Sequence, residues 1–496
     1  MNTTDTSEAT GTARGPGAAS RRFVIVMCAH MHMSATVKGT APEPTEGVPM
    51  LSVLRDRTYR HLFLAQVVAL TGTGLATVAL ALLAYDLAGG HAPAVLGTAL
   101  ALKMAAYVGL APLAGALARR VPRRALLVGA DLVRLLAALV LPFVDQVWQV
   151  YALVLLLQAA SAVFTPAFQA TIPRVLPEER DYTRALALSR LAYDLESLAS
   201  PVLAAALLAL VPYGWLFTGT AAGFLLSALL VLPLRLPPED RPGPAAERIL
   251  GVRLLLATPR LRALLALDLA VAAAGAAVLV DTVVLVQDGL ARPPGDVSLA
   301  LAAYGAGSMA VALLLPRLLD RTGDRALMLP AAAVLAAALG LLTAGLASGW
   351  ADAHRAAAWP ALLAVWLCLG AATSAVLTPG GRLLRRSAAD ADLPAVFAAR
   401  FSLSHGCWLL TYPLAGWLAA RAGTAVSAAA LTAVALAAAV AAARLWPRGD
   451  PEQLEHTHPE LPAGHPHMAT ATGPDHRHVH TFRIDALHRH WPTPTG

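Results

Sequence analysis

Nine of the fifteen histidines in this chain lie between positions 456 and 490. They fall as His456-x-His458, His465-x-His467, His476-x-His478-x-His480 and His488-x-His490. Alternate residues of an extended segment point to one side, so each H-x-H presents two imidazoles together. Such pairs suit Ni²⁺, Co²⁺ or Zn²⁺. The tract lacks the carboxylate and thiolate density of a high-affinity site, so a pH-responsive or merely solvated tail is the bland alternative. The overlapping segment VHTFRIDALHRHWP reads as a short strand or turn followed by a helix, able to fold or dock.

A second set of chemistry-bearing residues interrupts long apolar runs. Asp131 and Arg134 stand at i and i+3, on one helix face, where they can pair. Lys103 is set in an apolar run and is placed to meet an acid in a central cavity or to snorkel outward. Asp268 lies about two turns into its run, with Asp281 and Asp288 toward the far end. His405, Cys407, Trp408 and Tyr412 cluster within two turns. Ionisable groups are expensive inside a bilayer, so each is a functional candidate. A carboxylate that loads and releases a proton needs such a site, and Asp131 and Asp268 are the first choices. The bland readings are a self-neutralising Asp131–Arg134 pair, a solvated Asp268 at a helix start, and a His405 that bonds a neighbouring helix. Arg190, Asp194 and Glu196 read as a charge network at the entrance of their run, or as a gate.

The elements that must position these residues are apolar. The 496 residues are 57% hydrophobic and 14% charged, with a mean hydropathy of +0.59. Too few charges remain to coat several soluble domains. A membrane-spanning helix needs about 20 apolar residues. Twelve such runs fall at 60–85, 94–118, 125–142, 147–169, 184–210, 213–234, 263–287, 298–319, 326–348, 358–378, 397–420 and 424–446. The expected fold is an all-α membrane protein of twelve helices in two halves, 51–234 and 263–446, joined by a basic loop at 235–262. Residues 1–50 read as a lead-in or start-site artefact, and 447–496 as the histidine-rich tail. The soft ligands near Cys28 are discounted with that lead-in.

Charge sets the orientation. The even-numbered loops carry nineteen arginines and the odd-numbered loops three. Basic residues stay on the cytoplasmic side, which puts both termini there, in an inner (plasma) membrane. The formal charge of +7 is therefore not a nucleic-acid footprint. Three cysteines are too few and scattered for a disulfide framework. There is no phosphate-binding or dinucleotide glycine loop, so energy must come from an ion gradient, and no cofactor is required. Pro166, Pro201, Pro379 and Pro413 sit within or at the ends of runs and can break helices where a cavity moves.

The halves repeat faintly. GALARRVPRR (115–124) corresponds to PRLLDRTGDR (316–325), and Thr165-Pro166 to Thr378-Pro379. With a 6+6 arrangement and this loop, residues 51–446 resemble the major facilitator superfamily. Gly115, Arg123 and Arg124 fit the family's loop, whereas Arg119 stands where the family has an acid. Asp320, Arg321 and Gly323 fit it in the second half. The resemblance implies that these loops gate the two halves. TPAFQATIPRVLPEERDYTRALALSRLAYDLESLASPVLAAALL (165–208) resembles the exporter branch of enterobactin and macrolide efflux proteins. FAARFSLSHGCWLLTYPLAGWLA, with the tail, resembles a subgroup in which nickel-resistance exporters occur. The expectation is a non-enzymatic, monomeric, proton-coupled exporter of a small organic compound or a divalent metal ion. The alternative is a receptor or regulator on the same scaffold.

Overall fold

The computed structural model describes residues 50–118, 121–236, 246–389, 392–449, 453–457 and 477–484, with His488 and Trp491. The lead-in at 1–49 lies outside them. Met50–Arg55 forms a short 3-10 helix in a first unit that ends at Asp56. Arg57–Gly496 forms a second compact unit.

In that unit the helices are α1 (Arg57–Ala88), α2 (Ala92–Ala118), α3 (Arg123–Val140), α4 (Val147–Val175), α5 (Glu179–Leu208) and α6 (Gly214–Val231). A linking helix follows, α7 (Ala246–Ala257). Then come α8 (Pro259–Ala276), α9 (Pro294–Thr322), α10 (Asp324–Ala347), α11 (Arg355–Leu377), the short α12 (Gly380–Ser387), α13 (Leu393–Ala422) and α14 (Thr424–Leu445). Each of the twelve apolar runs falls on a helix of 18 residues or more. Nine stretches of the described residues are long and apolar enough to cross a membrane, and the first, Arg57–Gly109, spans α1 and much of α2. α5 and α13 are more polar, and within α5 only Ala199–Leu208 stands out as apolar.

Most of the long helices carry apolar residues on all sides, as suits a lipid environment in which every backbone N–H and C=O must be satisfied within the helix. Leu136, Trp148, Trp215 and Leu341 are each more than 60% exposed. Large side chains left so bare on helix after helix are at home against lipid tails rather than water.

The packing repeats. α1 packs on α6, α3 on α6 and α2 on α4; likewise α8 packs on α14, α10 on α14 and α9 on α11. The halves meet through α2 on α13 and α5 on α9. Two one-residue turns join helix pairs in the second half. Gly323 (φ +75°) links α9 to α10, and Gly423 (φ +90°) links α13 to α14. A side chain at either would be strained.

The expected strand of the tail is present, and it has a partner absent from the sequence reading. β1 (Gln453–Thr457) pairs antiparallel with β2 (Arg477–Thr481), a small ribbon appended to the all-α body. The register sets His456 opposite His478 and Leu454 opposite His480. Phe482 and Ile484, 2% and 3% exposed, join the main apolar cluster. The Trp491 ring lies 5.4 Å from the Arg260 guanidinium. The helix expected after the strand falls largely outside the described residues.

Candidate functional site

A polar cavity of about 280 Å³ lies inside the first half. α1 lines it with Gln66, Thr73 and Thr77, α2 with Lys103 and Tyr107, and α3 with Arg134. α4 adds Gln158, Ser161, Phe164 and Phe168, and α5 adds Tyr193 and Glu196. Lys103 therefore faces the cavity, within electrostatic range of Glu196.

Arg134 donates to Asp131, which also accepts from Ser227 on α6 at 2.7 Å. Both members of the pair are buried. The guanidinium is held between Phe164 and Phe224, at 4.2 and 4.6 Å from their centroids. A planar cation stacked on two rings is held in one orientation. One edge is spent on Asp131, and its Nε has no hydrogen-bond partner. A charge-bearing organic group could complete it.

Glu196 departs from the expected network at the entrance of α5. It stands 17 residues beyond Glu179, about 25 Å along the helix axis at 1.5 Å per residue. That depth carries it to the cavity. The side chains of Arg190 and Asp194 lie outside the described residues.

In the second half Asp268 is 2% exposed rather than solvated. It accepts two hydrogen bonds from Arg400 on α13, Nε to Oδ2 at 3.1 Å and Nη2 to Oδ1 at 2.9 Å. Gly380 makes room for this arginine, since a Cβ there would sit 2.4 Å from Nη1. Sequence reading did not single out Arg400, although a lone arginine in an apolar run is the same signal that marked Asp131. Thirteen residues beyond Asp268, Asp281 is also 2% exposed, near Ser427 of α14.

The loops between the second and third helices of each half differ. Arg119 lies outside the described residues, as do the surroundings of Gly115 and the side chains of Asp320 and Arg321. Arg123 is buried and Arg124 exposed at the start of α3. Among the described residues of the second-half loop, the acid that pairs is Asp324, just after Gly323. Its carboxylate, fully buried, accepts from Arg382 at 2.8 Å and Arg386 at 2.7 Å. Arg260 adds hydrogen bonds to Ser387 and to the Arg386 carbonyl.

The seam between the halves runs along α2 and α13. A Cβ on Gly97 would lie 2.5 Å from the Tyr412 carbonyl oxygen, and one on Gly416 2.2 Å from that of Pro93. Only glycines let these backbones touch. Trp417 donates to Thr98 at 3.1 Å nearby. On α13, His405 forms a triangle of rings with Phe401 and Tyr107, at 4.0 and 5.7 Å between ring centroids. Its Nδ1 is 2.7 Å from the Phe401 carbonyl oxygen. His405 thus touches a residue that lines the cavity of the opposite half.

Among the described residues no group of three or more His, Cys, Asp or Glu is placed to hold a metal. Of the tail histidines, His458, His465, His467, His476 and His490 lie outside those residues, as do the side chains of His456, His478 and His480. His488 is buried against Phe482, 4.7 Å between ring centroids. A larger cavity of about 1320 Å³ at the other end of the second half is lined mainly by apolar residues of α10 and α11.

Known proteins share this architecture. Macrolide efflux protein A of Streptococcus pyogenes is 28% identical over 152 residues, 28% of this chain and 37% of that protein. The chain thus matches little more than a third of that relative's length. A bacterial homologue of the iron transporter ferroportin, in an inward-facing state, superposes with a TM-score of 0.62 at 15% identity, over 78% of this chain and 98% of the other. The nucleoside transporter NupG gives 0.60 at 13% identity, over 78% and 98%. The Major Facilitator Superfamily model matches residues 62–291 and again 269–474. Helices paired the same way in both halves, a polar cavity and two matches of one family model together make this chain a member of the Major Facilitator Superfamily, a family of membrane transporters and not of enzymes.

Proposed function

We propose that the protein is a secondary exporter of small organic compounds, driven by protons and working by alternating access in the plasma membrane. The observation that carries this reading is the cavity in which Arg134, Lys103 and Glu196 face Tyr107, Tyr193 and Phe164. Mixed charge on aromatic walls suits an organic molecule with both a charged group and an apolar body. The partial likeness to a macrolide efflux protein supports export of such compounds. The seam at Gly97 and Gly416 supports rocking of the halves about a midplane site. The test is uptake of radiolabelled erythromycin into inverted membrane vesicles. Accumulation should require a proton gradient and fall in Arg134→Ala and Glu196→Gln. Uptake unchanged by both substitutions would sink the cavity assignment.

A divalent metal ion is the second reading for the cargo, and the tail histidines favour it. The ribbon sets the backbones of His456 and His478 side by side. In this reading the tail collects Ni²⁺, Co²⁺ or Zn²⁺ beside the membrane unit. Ni²⁺ sensitivity of a deletion strain, complemented with and without residues 450–496, separates the two cargoes.

A further inference from the structure

Asp131 and Asp268 are each held by an arginine in this structure, and Asp281 is not. Asp281 ends a π-helical turn, Ala277–Asp281, that interrupts the seventh apolar run. Such turns are rare, and they recur at functional sites because they unseat a helix's regular hydrogen bonds. This one packs against α2, α9, α13 and α14, beside the seam where α2 of the first half meets α13 of the second. Among the described residues of the elements around it, only Ser427 of α14 reaches the carboxyl. Among the described residues no charged group of those helices acts on it, including Lys103 on α2, Asp296 on α9, Arg400 and His405 on α13 and Arg444 on α14. Oδ1 is buried with no hydrogen-bond partner.

Ser427 Oγ stands 3.0 Å from Asp281 Oδ2 and 3.1 Å from the Ala415 carbonyl oxygen. A hydroxyl has one proton to donate, and a carbonyl can only accept. When Ser427 donates to Ala415, the remaining contact is closed by a proton on Asp281, donated to Ser427. The neutral acid therefore satisfies both contacts at once. The ionised form would leave an uncompensated charge in an apolar core.

From this geometry we infer that Asp281 is a proton-binding site of the transport cycle, loaded in the conformation seen here. Movement of α13 and α14 against the π-helical turn separates Ser427 from Asp281, admits water to the carboxyl and releases the proton from Oδ2. The inference rests on the proton-driven reading given above and names the carboxyl that carries the proton.

The experiment is infrared difference spectroscopy of the full chain in lipid, titrated across pH, with no substrate present. The wild type should show a carboxylic C=O stretch that disappears as pH rises. Asp281→Asn should lose that band, whereas Asp131→Asn and Asp268→Asn should keep it. Asn can retain the Ser427 contact, and elution as a single species checks its folding. Ser427→Ala removes the hydrogen bond and should shift the band without abolishing it. A band unchanged in Asp281→Asn, or unmoved in Ser427→Ala, would overturn the inference. A second arm measures gradient-driven accumulation of erythromycin, which Asp281→Asn should abolish. A wild type that binds the proton but accumulates no erythromycin would defeat the cargo reading and leave the Asp281 site standing. Full accumulation in Asp281→Asn would defeat the site.

Discussion

Arg400 closes on Asp268 from 132 positions away in the chain, with both carboxylate oxygens engaged, at 3.1 and 2.9 Å. The pair ties α13, which forms the seam with the first half, to α8, the core helix of the second. Removing one partner of a buried pair strands the other charge, at a typical cost of about 3–5 kcal/mol. Arg400→Gln should therefore lower the thermal unfolding midpoint in detergent sharply. Adding Asp268→Asn should recover much of the loss. Additive losses in the double-mutant cycle would show that the two residues do not act as a pair.

Arg134 should not be replaceable by lysine. Lysine keeps the charge but gives up the planar stack between Phe164 and Phe224 and the fork that reaches Asp131. Loss of the buried guanidinium stack is worth about 2 kcal/mol, more than tenfold in affinity. Erythromycin binding measured by scintillation proximity should weaken by that factor in Arg134→Lys. Wild-type affinity in this variant would remove Arg134 from the binding site.

Gly416→Ala should open the seam. The added methyl would meet the Pro93 carbonyl oxygen at 2.2 Å, a backbone atom that cannot rotate away. Overpacking of this kind costs about 1–3 kcal/mol, which shifts a two-state equilibrium roughly five- to 150-fold. A cysteine placed at Thr98 should then react faster with a membrane-impermeant maleimide added from the arginine-poor side. An unchanged labelling rate would mean the seam stays shut in both states.

The tail should stabilise the membrane unit. Phe482 and Ile484 are buried in its main apolar cluster, and burial of each such side chain is worth about 1.5–3 kcal/mol. Deleting residues 450–496 should lower the unfolding midpoint even without metal. So should Phe482→Ala, with the histidines intact. Equal midpoints for wild type and truncation would mean that the tail is not docked in solution.

The sequence by itself determined the twelve apolar runs, their helical state and the side on which arginine gathers, because the free energy of an apolar helix in lipid is a local sum over neighbouring residues. Asp131 and Arg134 were legible as a pair for the same reason, since three positions on one helix fix their separation. Lys103 was legible as a cavity candidate by its cost in lipid. What tertiary structure alone decided is who answers each buried charge. Asp268 found Arg400, Asp324 found Arg382 and Arg386, and Asp281 found, among the described residues, only a serine. Those partners come from helices distant in the chain, and their meeting depends on how the helices cross. Hydrocarbon offers no water to stand in for a missing partner. Asp268 and Asp281 look alike in the sequence, two acids on one apolar run. Packing turned one into a tie between helices and left the other buried with no counter-charge among the described residues.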